Sequence, residues 1–585
     1  MSFKQLKTVW GEAMSDKPLQ EYPRPQLVRT SYINLNGWWD YAITRSDAMS
    51  PQYDGRILVP FSPESQLSGV GRVLKSKERL FYHTVFTLPK GFNKGIVLLH
   101  FGAVDCIADV YVNEQKVAHH EGGYLPFSAD ITQALVEDGA NELVVKVVDY
   151  TDTKYYANGK QSTHRGGMWY TPQSGIWQTV WLESVPTEYI RGLRITPVYD
   201  EARVIVEADV NFDEPITYII KDGETEIAKV DGKGAVSIDF PGKQFKSWSP
   251  ENPFLYDIVA ISRRDKVTSY FGMRKFSCET VGRHKRLMLN NRPYFHNGVL
   301  DQGYWSDGLY TAPSDEALVA DIALMKRLGF NMLRKHIKVE PARWYYHCDR
   351  LGMLVWQDMP SGGTKQHKMW TLYLPHFGVW KIADKHYAMF SRRKKESRDL
   401  FEKEYAEMIA HLYNCTCVAM WVPFNEAWGQ FDANRIAELT KQLDPTRTVD
   451  HASGWHDQGG GDIHSLHVYF KPVKLPRDKH GRVTCLTEFG GYSLPIDNHM
   501  FNLDNIYSYR KFDDPETFNQ GIAELFTRDV IDLIPQGLSA SVFTQLSDVE
   551  DEINGLVTYD RKVLKVDEAL MQGLNKQIRI TKEWL

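Results

Sequence analysis

From Arg283 onward, short apolar segments alternate with amphipathic helical stretches, and few folds accept that rhythm. The apolar segments read FHNGVLDQG, FNMLRKH, MLVWQDMP, CVAMWVPFNE, RTVDHASG, IHSLHVYF, VTCLTEFGG and ASVFTQLSD. Among the intervening stretches, SDEALVADIALMKRLG begins with Ser314 as a candidate N-cap and repeats apolar residues at helical spacing. Eight strand candidates with helices between many of them predict a (β/α)8 barrel over residues 281–585. Upstream the pattern is β throughout. RLFYHTVFTLP, GIVLLHFGAV, IADVYVNEQKVAHH and NELVVKVVDY alternate apolar and polar residues between turn residues, which predicts a two-sheet sandwich over 1–188. A smaller unit over 189–280, with GLRITPVY, ARVIVEADV, ITYIIKD and FLYDIVAIS, suits an immunoglobulin-like sandwich.

Bulk properties narrow the function. A formal net charge of -5 over 585 residues gives no basic field for nucleic acid or an anionic membrane. No segment approaches the roughly 18 apolar residues of a membrane span, and the N-terminus lacks a signal peptide's apolar run. The six cysteines are scattered, most of them in apolar runs, and read as buried free thiols of a reducing compartment. A cytoplasmic protein is expected, and self-association into a homo-oligomer is compatible with such an architecture. One insertion, 361–398, carries Trp370, Tyr373, Phe377, Trp380 and Tyr387, then the basic run Arg392 to Lys395. It either shapes the pocket or serves as a structural loop or subunit contact; the basic run reads as a solvated helix face.

A barrel presents its reactive groups at the C-terminal ends of its strands. Two carboxyls end apolar strand candidates: Glu426 after VAMWVPFN and Glu488 after VTCLT. Buried there, each is either a working group or half of an ion pair with an arginine. Two carboxyls on facing strands suit glycoside hydrolysis, one as acid and base, the other as nucleophile. His464-x-x-His467 lacks a third metal ligand in sight, and Gly459-Gly460-Gly461 is not followed by the Lys-Ser/Thr of a phosphate cradle. No metal or cofactor is expected.

The chain resembles glycoside hydrolase family 2, the β-galactosidase, β-glucuronidase and β-mannosidase group. FGAVDCIADVYVNEQKVAHHEGGYLPFSADIT and SGIWQTVWLE are similar to its sugar-binding jelly roll; FNMLRKH, LGMLVWQDMP, WVPFNEAWG and LTEFGG resemble its second, third, fourth and seventh barrel strands. The resemblance implies a jelly roll, an immunoglobulin-like sandwich and a TIM barrel in that order. It assigns the acid/base to Glu426, the nucleophile to Glu488, a 2-hydroxyl contact to Asn425, and positions beside the nucleophile to Tyr469 and Arg334. His336 and His467, near strand ends, stand as substrate contacts or framework histidines, and Trp428 as a candidate beyond the scissile bond. The first sugar pocket departs from the family. Gly298 to Trp305 reads GVLDQGYW rather than Gly-Val-Asn-Arg-His, and Gln545 stands where many β-galactosidases carry tryptophan. Asp301, Gln302, Trp305 and Gln545 are the candidate wall, or else structural. Asn554 lacks the Asn-x-Lys continuation that holds a uronate, which leaves Lys335 or Lys338 as substitutes. The expectation is a retaining, exo-acting β-glycosidase for a β-galactoside or related sugar. The alternatives are a β-glucuronidase and a non-catalytic carbohydrate-binding protein.

Overall fold

The computed structural model describes residues 5–49, 52–136, 138–364, 369–376 and 381–578. The first sandwich packs a six-stranded antiparallel sheet against a four-stranded one. Strict alternation makes this possible: in Ala140–Val148 every second side chain is buried, and Val110, Leu143, Val145 and Val147 fill the shared core. The second sandwich pairs three strands with four around Val204, Tyr218, Ile258 and Phe271. It is pinned to the third unit by a buried carboxyl. Asp349 accepts from Tyr270 Oη at 2.9 Å and from the Cys417 amide at 2.6 Å, while the Trp248 indole donates to its carbonyl at 2.7 Å.

The remaining residues form the barrel. Its strands are β1 (His296–Asp301), β2 (Met332–Lys335), β3 (Leu354–Asp358), β4 (Val418–Val422), β5 (Thr448–Val449), β6 (Ile463–Val468), β7 (Val483–Gly490) and β8 (Leu538–Thr544). All ladders are parallel and run β5-β4-β3-β2-β1-β8-β7-β6, a nearly closed ring. Both faces of these strands are covered, so β3, β4 and β8 are buried at every position rather than at alternate ones. The helix α1 (Asp315–Arg327) starts as the sequence indicates, with Ser314 Oγ accepting from the Ala317 amide at 3.2 Å. No helix among the described residues is long and apolar enough to cross a membrane.

One loop of the first sandwich fixes the functional geometry. Residues 156–171 leave their own domain and lie across the C-terminal mouth of the barrel. The Asn158 and Gly159 amides both donate to Ser361 O at 2.9 Å, beyond β3. Beyond β8, Arg165 donates to Glu550 at 2.7 Å and Asp551 at 2.6 Å, and Tyr170 Oη donates to Glu552. The Glu550 and Asp551 side chains are only 1% and 2% exposed, so Arg165→Met would strand two buried charges. A loss of about 3 kcal/mol in unfolding free energy is expected. Urea titration checks it, and a midpoint equal to wild type refutes it.

The insertion is seated beside the acid end of β4. Arg392, the first residue of the basic run, is not a solvated helix residue. Its guanidinium is buried and donates to Gly429 O at 3.0 Å and to Ser397 Oγ at 3.0 Å, satisfying a carbonyl and a hydroxyl inside the fold. Asp384 accepts from the Ala433 amide at 2.8 Å and Tyr387 Oη donates to Asp432 at 3.0 Å, so this segment braces the loop after Glu426. Phe377, Trp380 and the side chain of Tyr373 lie outside the described residues.

Candidate active site

The two carboxyls singled out by the sequence meet at the barrel mouth. Glu488 is part of β7 and Glu426 follows β4. One carboxylate oxygen of each, and one ring nitrogen of His467, lie within 4.8 Å of one another. Glu426 has φ 47° and Ala427 φ 63°, left-handed values that non-glycine residues adopt at a cost of roughly 1–3 kcal/mol each. Cross-strand bonding holds them there: the Glu426 amide donates to Ser453 O and the Ser453 amide to Phe424 O, both at 2.9 Å. The turn swings the Glu426 carboxyl over the mouth instead of along the strand.

Glu488 is held ionised. Tyr469 Oη donates to its Oε2 at 2.5 Å and Arg334 Nη1 to its Oε1 at 3.2 Å. Burial works to raise its pKa, but His467, Arg334 and the Tyr469 hydroxyl outweigh it, and the carboxyl sits below the usual carboxylate range. Arg334, from β2, is the hub beneath the site. Its Nε donates to Asp358 Oδ1 at 3.0 Å and its Nη2 to Asn425 Oδ1 at 2.8 Å. That second bond fixes the Asn425 amide with its Nδ2 unpartnered, a buried donor left for something bound in the mouth.

His467 joins the two acids. Its Nδ1 is 2.9 Å from Glu426 Oε1 and 3.5 Å from Glu488 Oε2, and its Nε2 is 3.1 Å from Ser453 Oγ. His336 Nδ1 is 2.8 Å from Asp358 Oδ2, and burial first, then the charge of Lys160, hold that imidazole well below its usual range. Trp428 lies face to face with Trp169 of the first sandwich, centroids 4.9 Å apart and planes 23° apart. Tyr469 stacks on Tyr509 at 3.9 Å and 8°.

The candidate wall divides. Gln302 Nε2 donates to Gln545 Oε1 at 2.8 Å, and Gln545 Nε2 to Asn554 Oδ1 at 2.7 Å, a chain linking β1 to the turn after β8. Asp301 and Trp305 go elsewhere. Asp301 forms an ion pair with Lys335 at 2.6 Å, its register partner on β2. The Trp305 ring sits under the Arg561 guanidinium at 4.4 Å and edge-on to Trp10 at 6.1 Å, packing rather than lining. Lys335 and Lys338 are likewise not free for a uronate: Glu340 Oε1 accepts from both, at 2.7 and 2.9 Å, and Lys338 also donates to Gly303 O and Tyr310 O. Sequence reasoning missed Lys160, Tyr170 and Glu552, which reach the same mouth from the first sandwich and the turn after β8.

Metal-type ligand atoms gather in two places among the described residues. One is the Glu426, His467 and Glu488 group itself. The other is Asp105, Cys106 and Asp149 inside the first sandwich, where Asp105 accepts from Gln161 and Asp149 from Thr151 and Ser174.

Comparison with known proteins agrees with this layout. Residues 69–186 match "Glycosyl hydrolases family 2, sugar binding domain", residues 188–274 "Glycosyl hydrolases family 2", and residues 281–473 "Glycosyl hydrolases family 2, TIM barrel domain". The chain belongs to glycoside hydrolase family 2. Curated family 2 relatives include a β-galactosidase of Streptococcus thermophilus, 24% identical over 62% of this chain and 34% of its own length. A putative β-glucuronidase of Formosa agariphila is 28% identical over 61% of this chain and 42% of its own. The chain thus spans well under half the length of these relatives. Among solved structures, a Ruminococcus gnavus β-glucuronidase superposes with a TM-score of 0.76 at 17% identity, covering 96% of this chain and 100% of its own. A β-galacturonidase of Eisenbergiella tayi gives 0.70 at 18% identity, covering 95% and 99%. The family 2 architecture of jelly roll, immunoglobulin-like sandwich and TIM barrel therefore extends over nearly the whole chain.

Proposed function

We propose that the protein is a retaining, exo-acting β-glycosidase, with Glu488 as nucleophile and Glu426 as acid and base. The observation that carries this reading is the separation of the two carboxylates. Carboxylate oxygens within 4.8 Å of one another suit the direct attack of a retaining enzyme, whose carboxyls stand about 5–5.5 Å apart, better than the gap of about 6.5–9.5 Å that an inverting enzyme keeps for its water. The Glu488 carboxylate attacks the anomeric carbon as Glu426 gives its proton to the glycosidic oxygen, and the aglycone departs as an alcohol. Glu426 then takes a proton from water, whose oxygen attacks the same carbon and releases Glu488 and the sugar with its β configuration restored. Asn425 Nδ2 donates to the sugar 2-hydroxyl, a bond that strengthens in the transition state. Arg334 and Tyr469 keep the nucleophile charged and aimed. The loop from the first sandwich, spanning the mouth from β3 to β8, closes one end of the cleft and supports attack on a terminal sugar.

The first substrate class is a β-galactoside or a related neutral hexoside or pentoside. The glucuronidases and galacturonidase among the relatives and solved structures keep a β-uronide as the second reading. A panel of nitrophenyl α- and β-glycosides identifies the class, and proton NMR of the fresh product then tests the mechanism. The β-anomer is expected first, with the α-anomer growing in by mutarotation. An α-anomer formed first, or cleavage of α-glycosides alone, would overturn the proposal.

A further inference from the structure

We propose that Lys160 and Glu552 form a clamp for one hydroxyl of the terminal sugar, and that this clamp selects a neutral glycoside over a uronide. The inference rests on the glycosidase reading above. Lys160 belongs to the first sandwich but is delivered to the barrel mouth by the bonds of its neighbours to Ser361, and the Tyr170 amide donates to its carbonyl at 3.0 Å. Gly159 makes the approach possible. It has φ 55°, and a Cβ there would lie 3.0 Å from Ile337 O and 2.8 Å from Tyr310 Oη, so a side chain would lift the loop off the end of β2.

The Lys160 side chain is 8% exposed, yet its nearest acid, Glu552 Oε2, is 3.9 Å away. No hydrogen bond to the ammonium occurs among the described residues. The ammonium has the Tyr170 ring at 5.5 Å and no described acceptor within hydrogen-bond reach, so its donors are open to a ligand in the mouth. Glu552 is held in place: Asn554 Nδ2 donates to its Oε1 at 3.0 Å, Tyr170 Oη donates to its other oxygen, and Asn554 is tied through Gln545 and Gln302 to β8 and β1. A gap of 3.9 Å is too long for a direct hydrogen bond. It is short enough for one hydroxyl oxygen to sit about 2.8 Å from both groups, accepting from the ammonium and donating to the carboxylate.

A carboxylate ligand fits this gap badly. It can accept from Lys160 but has nothing to donate to Glu552, and it would bring like charge beside that acid. The other cations near β1, β2 and β8 are already answered: Arg334 by Asp358 and Glu488, Lys335 and Lys338 by Glu340, and Arg165 by Glu550 and Asp551. Lys160 itself faces Glu552. Among the described residues around this gap a uronate would meet no unmatched positive charge, whereas a hydroxyl uses both halves of the pair.

The test uses the full chain, as wild type, Lys160→Met and Glu552→Gln, on nitrophenyl β-glycosides. The best neutral substrate should exceed the β-glucuronide by roughly 10²-fold in kcat/KM, and each variant should lose roughly 10²-fold on it. Monodeoxy analogues of that substrate locate the clamped hydroxyl with wild type alone. One analogue should be slow with wild type and no slower with Lys160→Met. The clamp is overturned if no monodeoxy analogue loses more than about threefold with wild type. It is also overturned if Lys160→Met matches wild type on the best substrate, or if the glucuronide is the best substrate and Lys160→Met abolishes it. A wild type that cleaves no β-glycoside, or an unimpaired Glu488→Gln, brings down the glycosidase reading and the clamp with it. An active wild type indifferent to Lys160 brings down the clamp alone.

Discussion

Glu488→Gln should lower kcat by roughly 10⁴–10⁶-fold while leaving KM nearly unchanged. The amide is isosteric, so Tyr469 and Asn425 stay in place and ground-state binding survives, but an amide oxygen does not attack the anomeric carbon. The Glu488 carboxylate is the group on which Arg334, Tyr469 and His467 converge, and its replacement removes the reacting atom rather than a contact. Mass spectrometry after incubation with a slow fluorosugar substrate should show a covalent adduct on wild type and none on the variant. Activity within about 10²-fold of wild type would mean that another group attacks. The acid limb of wild-type kcat/KM follows from the same contacts. Because the Glu488 pKa lies below the usual carboxylate range, the nucleophile stays charged on the acid side, and activity falls only as pH drops through that lowered value. Arg334→Met removes one of the charges responsible and should move the limb to higher pH.

The barrel and its two acids were legible because each rests on a local pattern. Apolar strands covered on both faces are written as unbroken runs, and a carboxyl at the end of such a run is conspicuous. At β1 the sequence left Asp301 open between pocket wall and structural residue. Asp301 also ends a strand, but its partner Lys335 stands at the matching level of β2, and that register is invisible until the strands are aligned. Arg392 was misread because a run of four basic residues looks solvated, whereas the guanidinium is drawn inward by Ser397 and by Gly429 O of the loop after Glu426, which only the folded chain brings together. Lys160 and Glu552 lie on different domains at opposite ends of the chain. No periodicity or motif connects them, and only the closure of the first sandwich's loop over the barrel brings them together.

The second large effect separates the two acids from each other. Glu426→Ala removes the proton donor and acceptor but leaves Glu488 able to attack, so the loss should depend on the leaving group. With a nitrophenyl glycoside, whose aglycone departs without protonation, the first step persists and release of the glycosyl-enzyme becomes limiting. A fall of about 10³-fold in kcat, with a burst of nitrophenol, is expected. An alkyl glycoside should fall further, since its aglycone needs the proton to leave. Azide should restore turnover in this variant. It is a nucleophile that needs no general base, and truncation of Glu426 opens space where the carboxylate stood beside His467. It attacks the face opposite Glu488, so the product should be the β-glycosyl azide. The same experiment on Glu488→Ala, with the cavity on the other face, should give the α-azide instead. If Glu426→Ala yields the α-azide, or azide rescues neither variant, the roles assigned to the two carboxyls are wrong, because the face of attack follows from which acid has been removed.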